Sequence, residues 1–116
     1  MLVAYKRTEG DTIPREVSDI GSGEWVRLEE PTKEEIQEVS SVLGLDESLI
    51  HDALDPFEAP RFEEQDGNVY IFLRYAFSKE PAGTAPFLIV LTKTALVTIA
   101  LGTPSFLERL ASSAVP

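Results

Sequence analysis

The stretch LIHDALDPFEAPRFEEQDGNVYIFLRYAF, residues 49–77, carries the strongest fold signals of the chain. Its first part is typical of a short helix, which Pro56 ends. Asp66 and Gly67 form a strong two-residue turn signal between the segments RFEEQ and NVYIFLRYAF, which therefore predict a hairpin. Because residues 69–73 are apolar at every position, we expect this strand to be covered on both faces.

Two consecutive helices are predicted before this hairpin. Thr32 and Glu35 have the spacing of a capping box, which begins the first helix, and Gly44 is expected to end it. Asp46 then caps the second helix, which continues into the stretch quoted above. Apolar residues recur at helical spacing in the first helix: Ile36, Val39 and Leu43.

Strands are also predicted near both ends of the chain, over residues 2–7, 24–30, 87–92 and 95–101, and a last helix is expected to begin at Thr103 or Ser105. Residues 9–24 are rich in turn signals. In the strand over 24–30, alternation places Val26 and Leu28 on an apolar inner face. The opposite side of that strand carries three larger residues: Trp25, Arg27 and Glu29.

This order of elements predicts an α+β fold in an α/β/α layered arrangement. We expect a mixed, largely antiparallel sheet of about six to seven strands, flanked by helices. The central strands should supply most of the core, since burial of one large apolar side chain stabilises a fold by roughly 1.5–3 kcal/mol. Four residues are expected to have this structural role: Ile71, Leu73, Ile89 and Leu91.

Composition limits the classes of function. The chain has 116 residues, which suggests one domain over 1–116, and a net charge of -10 that argues against nucleic acid as a partner. No cysteine is present, so disulfides and thiolate metal sites are excluded. No apolar run reaches the roughly 18 residues of a membrane helix, which predicts a soluble chain. Because Pro116 follows soon after the last predicted helix, we expect a longer parent protein.

Asp52 and Asp55 are the most interesting candidates for chemistry. They stand near the end of the second predicted helix, on one face, where the helix dipole disfavours a carboxylate by roughly 0.3–1 kcal/mol each. A solvated helix end, with Asp55 turning the chain into Pro56, is the simpler interpretation. The alternative is a site for a hard divalent cation, which prefers carboxylate oxygens. His51 is the single histidine, and a surface or capping role is the usual one for such a residue.

Residues 24–105 resemble the cytosolic N-terminal domain of the CorA family of divalent-cation transporters. A strand with Trp25 precedes the helix start at Pro31 and Thr32, and a Leu-Gly-Leu joint follows at 43–45. The next features are an acid at Asp52 in a Leu-x-x-Asp-Ala-Leu helix, a Pro-Arg-x-Glu entry to a strand at 60–63, and the apolar hairpin strand. LTKTALVTIA is similar to the strand pair that precedes the family's first long helix.

The resemblance implies a regulatory domain without enzymatic activity. CorA proteins are homopentamers with two C-terminal membrane helices, which this chain lacks, and Mg²⁺ bound between their cytosolic domains holds the closed state. Asp52 matches the acid of that site, and Asp55 and His51 are the other candidate ligands. The family often has Glu where this chain has His51, a departure that also fits relatives that move Zn²⁺; Co²⁺ is a further candidate. In isolation we expect weak or no assembly.

Two other functions stay open at this stage. A free-standing acidic α/β interaction module would have the same composition and no role in transport. A Mg²⁺-dependent hydrolase would need several carboxylates converging at strand ends in a cleft, and the sequence offers no recognisable arrangement of that kind. GxGxxG, Walker and GxSxG motifs are all missing from the sequence.

Overall fold

The computed structural model describes residues 1–7, 10, 12–76 and 83–112. The strands are β1 (Leu2–Lys6), β2 (Arg15–Val17), β3 (Trp25–Glu29), β4 (Arg61–Gln65), β5 (Asn68–Ala76), β6 (Thr84–Leu91) and β7 (Leu96–Ala100). The helices are α1 (Lys33–Leu43), α2 (Glu47–Ala53) and α3 (Ser105–Ser112), with a 3-10 turn at Ile20–Ser22. None of these helices is both long enough and apolar enough to cross a membrane.

The seven strands form one sheet in the order β2-β1-β3-β7-β6-β5-β4. Every neighbouring pair is antiparallel except β3 and β7, which run parallel. The prediction of a mixed, largely antiparallel sheet with flanking helices is thus confirmed. Only β2 lies in a segment expected to consist of turns, because its three residues are too few to give an alternating pattern.

Local sequence signals explain the element boundaries. Thr32 and Glu35 form the predicted capping box of α1, and Gly44 ends that helix in the left-handed conformation with φ 67°. Asp66 and Gly67 make the hairpin turn with φ of 52° and 83°, as a type I′ turn requires. The predicted strand end at Phe77 lies outside the described residues, and β6 begins at Thr84, three residues before its predicted start.

The main core lies between the sheet and helices α1 and α2, and we call this side of the sheet the α1–α2 face. From β3 it receives Val26 and Leu28, both fully buried, as the alternation predicted. The central strands β5 and β6 add four large side chains: Tyr70, Phe72, Leu88 and Val90. Helix α2 contributes Leu49, Ile50 and Ala53 to the same core, which fixes the orientation of this short helix.

The opposite side of the sheet, the α3 face, corrects one prediction. Ile71, Leu73, Ile89 and Leu91 point to this side because successive side chains of a strand alternate between faces. Helix α3 packs on part of it, through Leu107 against Phe87 and Ala100. Leu73 and Leu91 lie beyond that contact and are 39% and 44% exposed, so they are not core residues of the described chain. Ile71 and Ile89 are half-buried.

Candidate cation site at the end of helix α2

The beginning of helix α2 is tied to the hairpin by Asp46. Its carboxylate caps the helix by accepting hydrogen bonds from the backbone N–H groups of Ser48 and Leu49. Gln65 of β4 donates to the same carboxylate at 3.0 Å, and the Asp46 backbone N–H donates to the Tyr70 hydroxyl at 2.9 Å. The Ser48 hydroxyl, and after it Gln65, hold the pKa of Asp46 below its ordinary value. These contacts fix α2, and therefore its last turn, relative to β4.

Asp52 lies in that last turn and faces an arginine of the same chain. Its Oδ2 atom accepts a hydrogen bond from Nη2 of Arg61 at 3.0 Å, and the carboxylate is about half exposed. Arg61 is the first residue of β4, which is an edge strand of the sheet. An acid at the negative end of a helix is thus tolerated here because a guanidinium neutralises it.

Arg61 contacts two further carboxylates, and we call Arg61, Asp52, Glu58 and Glu63 the Arg61 cluster. Nη1 of Arg61 is paired with Glu58, and Nε lies 3.3 Å from Oε1 of Glu63. The guanidinium also stacks on the ring of Phe72, with 4.0 Å between its central carbon and the ring centroid. Three carboxylates face one arginine, so the cluster keeps a net negative charge.

The three predicted ligands do not converge in the described residues. Asp55 lies beyond α2, which ends at Ala53, so the expectation that Asp52 and Asp55 share a helix face is wrong. Its carboxylate accepts the backbone N–H of Phe57 at 2.9 Å and shapes the turn after the helix. His51 is exposed, and its Nε2 atom lies 3.6 Å from the carboxylate of Glu47, one helical turn away.

A complete metal site is not formed by these residues alone. Among residues 1–7, 10, 12–76 and 83–112, no group of three histidines, cysteines or acids is placed to hold an ion. Mg²⁺ commonly takes only one or two protein carboxylates and keeps several waters. Asp52 would therefore need further ligands from outside the described residues to hold such an ion.

A second arginine cluster, which the sequence did not reveal, lies on the α3 face. Arg27 is 1% exposed and Glu29 is fully buried, and Nε and Nη2 of the arginine contact the carboxylate at 2.8 to 3.0 Å. Nη1 lies 3.1 Å from the Tyr5 hydroxyl, and Nη2 lies 2.6 Å from the carboxylate of Glu108 in α3. Arg27, Glu29, Tyr5 and Glu108 form the Arg27 cluster, which joins α3 to the sheet.

Arg27 keeps its positive charge despite burial. Burial alone would lower the pKa of Arg27, but hydrogen bonds to Glu29, Glu108 and Tyr5 outweigh it and the pKa is raised. The only sequence signal was the alternation that placed Arg27 and Glu29 on one side of β3, opposite the apolar face. Nothing local indicated that Glu108, 81 residues away from Arg27, would meet them.

Solved structures with a similar fold include proteins from an archaeon and a bacterium. The soluble domain of CorA from Methanocaldococcus jannaschii matches with a TM-score of 0.74 and 21% identity, over 95% of this chain and 44% of that one. The complete CorA magnesium transporter from the same organism matches with a TM-score of 0.74 and 23% identity, over 95% of this chain and 35% of that one. The ZntB cytoplasmic domain from Vibrio parahaemolyticus RIMD 2210633 matches with a TM-score of 0.65 and 16% identity, over 98% of this chain and 50% of that one. At these identities the likeness shows the fold alone.

This chain spans half or less of the length of each of those structures. Among curated proteins, no sequence matches it significantly. A family profile described as CorA-like Mg2+ transporter protein matches residues 21–114, which include α1, α2 and the strands from β3 to β7. Because this match extends over most of the 116 residues, the chain belongs to the family of CorA-like Mg²⁺ transporter proteins.

Proposed function

We propose that this chain is the N-terminal cytosolic domain of a longer divalent-cation transporter and that it regulates the pore by sensing cytosolic cation. In this proposal Asp52 binds Mg²⁺ at the contact between neighbouring domains of a homopentamer. Membrane helices that follow this domain in the parent protein form the pore. A transporter family is not a class of enzymes, which agrees with the expectation that this domain catalyses no reaction.

The observation that carries the proposal is the position of Asp52 within the family match. Residues 21–114 include both α2 and β4, so Asp52 lies inside the matched region. Its carboxylate is about half exposed at the end of a helix that core packing holds in place. An ion can therefore approach Asp52 from solvent, and in this proposal a carboxylate of a second domain completes the site.

Cation binding at this contact would act as a population shift. An ion shared by two domains stabilises only the arrangement in which both sets of ligands meet, which in this proposal is the closed state. When the cytosolic concentration of the cation falls, the ion leaves and the acidic surfaces repel. The net charge of -10 makes that repulsion substantial at low ionic strength.

Mg²⁺ is the cation this proposal favours, because a sparse carboxylate site with several waters suits a hard ion. Co²⁺ and Zn²⁺ are the alternatives, and His51 bears on them because imidazole is a good ligand for both. The histidine is exposed and adjacent to Asp52 in the chain. Substitution of His51 by Glu should favour Mg²⁺ over Zn²⁺, as measured by competition of the two ions in the parent protein.

The gene that encodes this chain provides the first test. We expect the reading frame to continue beyond codon 116 with a long charged helix, two apolar stretches of about 20 residues and a Gly-Met-Asn sequence after the first. A stop codon near Pro116 would overturn the proposal and favour an acidic interaction module. The exposed apolar side chains of the α3 face, such as Leu73 and Leu91, would then be the surface to examine.

A further inference from the structure

We propose that Arg61 is a built-in competitor for the cation at Asp52. The guanidinium holds Oδ2 of the carboxylate when the divalent ion is absent, and an ion that binds there has to displace this positive charge. Arg61 therefore sets the cation concentration at which the site fills. This inference rests on the proposed function, since it assigns the regulation of the same site.

The contacts of Arg61 allow such an exchange. Besides Asp52, Arg61 is paired with Glu58 and lies 3.3 Å from Glu63, and its guanidinium stacks on Phe72. When Arg61 releases the carboxylate of Asp52, it therefore keeps its contacts with two other carboxylates and with an aromatic ring. The side chain does not have to enter water unpaired, so its release from Asp52 is only mildly unfavourable.

Exposure and charge favour the same conclusion. The side chains of Asp52 and Arg61 are 50% and 30% exposed, so solvent and ions reach the pair. The Arg61 cluster has more carboxylates than positive charges, and a divalent ion adds the charge that the single arginine does not supply. At low concentrations of the divalent ion, the arginine thus reduces the repulsion between the carboxylates. It does not prevent the divalent ion, which carries more charge, from binding to Asp52.

The test is a titration of the 116-residue chain with Mn²⁺, followed by paramagnetic broadening of backbone amide NMR signals around Asp52. Wild type is compared with Arg61→Gln, and each is repeated with Asp52→Asn. We expect Arg61→Gln to move the midpoint of Asp52-dependent broadening to a Mn²⁺ concentration about three- to tenfold lower, because one nearby positive charge is removed.

Arg74 provides a matched control for general charge. Arg74 lies in β5 and donates to the backbone carbonyls of Pro56 and Glu58 at 3.0 and 3.1 Å. It therefore contacts the segment that carries Glu58, but through backbone carbonyls and not through a carboxylate. Arg74→Gln removes the same charge and should leave the midpoint within about twofold of wild type. Arg61→Lys keeps the charge but loses the planar fork, so its midpoint should fall between those of wild type and Arg61→Gln.

A second measurement needs no substitution. In wild type, Mg²⁺ should shift the Nη–H signals of Arg61, whose Nη2 donates to Asp52, in parallel with the Asp52 amide, because the arginine leaves the carboxylate as the ion arrives. Two results together would overturn this inference and leave the proposed function intact: broadening that Asp52→Asn abolishes but Arg61→Gln does not alter, and stationary Nη–H signals of Arg61. Broadening that does not depend on Asp52 in any variant would also overturn this inference, whereas the proposed function is decided in the parent protein, in which neighbouring domains can supply the remaining ligands.

Discussion

The two arginine clusters lie on opposite faces of one sheet and differ most in their access to water. Arg27 is 1% exposed and its partner Glu29 is fully buried, whereas Arg61 is 30% exposed and its partner Asp52 is 50% exposed. Both arginines face more than one carboxylate. A buried pair cannot exchange its partner for a dissolved ion, whereas an exposed pair can. This difference fits a structural role for the Arg27 cluster and is compatible with the regulatory role proposed for the Arg61 cluster.

The largest expected effect concerns the buried cluster. Arg27→Met should lower the free energy of unfolding by roughly 3–5 kcal/mol, because it leaves the carboxylate of Glu29 buried without its cation. Urea denaturation followed by circular dichroism measures the change. Arg27→Met combined with Glu29→Met should recover most of the loss, since paired removal leaves no buried charge. If Arg27→Met alone lowers the free energy of unfolding by less than the double substitution does, this role for the cluster is contradicted.

An intermediate effect is expected at the cap that holds α2 beside Arg61. Asp46→Ala should destabilise the chain by about 1 kcal/mol, the usual cost of a lost N-cap. It removes the contact between α2 and Gln65 as well. Urea midpoints at neutral pH measure this loss, and Asp46→Asn, which can still cap, should recover much of it. Equal midpoints for wild type and Asp46→Ala would mean that core packing alone positions α2.

Acidification should reproduce part of that loss. The pKa of Asp46 is held below its ordinary value of 3.8 by Ser48 and Gln65, and that of Glu35 is held below 4.5, chiefly by the Thr32 backbone N–H. Both groups therefore add stability above their ordinary pKa values, and that stability disappears as the pH falls through their lowered values. Urea midpoints between neutral pH and pH 3 should show a smaller decline in Asp46→Ala than in wild type.

The smallest expected effect on stability is at the exposed cluster. Arg61→Gln should change the free energy of unfolding by about 1 kcal/mol or less, because exposed ion pairs contribute little. Molar salt should remove most of that difference, whereas it should leave the effect of Arg27→Met nearly unchanged. Urea denaturation at low and high salt compares the two. If Arg61→Gln lowers the free energy of unfolding as much as Arg27→Met does, the exposed cluster is structural too.

Sequence patterns predicted the features that depend on neighbouring residues. The capping box at Thr32 and Glu35, the Asp66-Gly67 turn and the order of the elements all arise within short segments. Patterns also placed Val26 and Leu28 on the core side, since strand alternation is local.

Features that depend on distant segments could not be predicted in this way. A strand that is apolar on both faces indicates two covered faces, but it does not say which segment covers the second one, so Leu73 and Leu91 were misassigned to the core. Arg27 meets Glu108 across 81 residues. Arg61 of β4 meets Asp52 of α2 through the tertiary fold, a contact that no spacing in the sequence encodes.

The regulatory role of Asp52 is tested most directly by the Mg²⁺ dependence of pore closure in the full-length parent protein, measured as current for wild type and Asp52→Asn. Asp55→Asn is the matched control, since Asn can still accept the backbone N–H of Phe57 that shapes the turn after α2. If Asp52 binds a regulatory cation, Asp52→Asn should stay open at Mg²⁺ concentrations that close both wild type and Asp55→Asn. Closure of Asp52→Asn at the wild-type concentration would contradict a regulatory cation at Asp52.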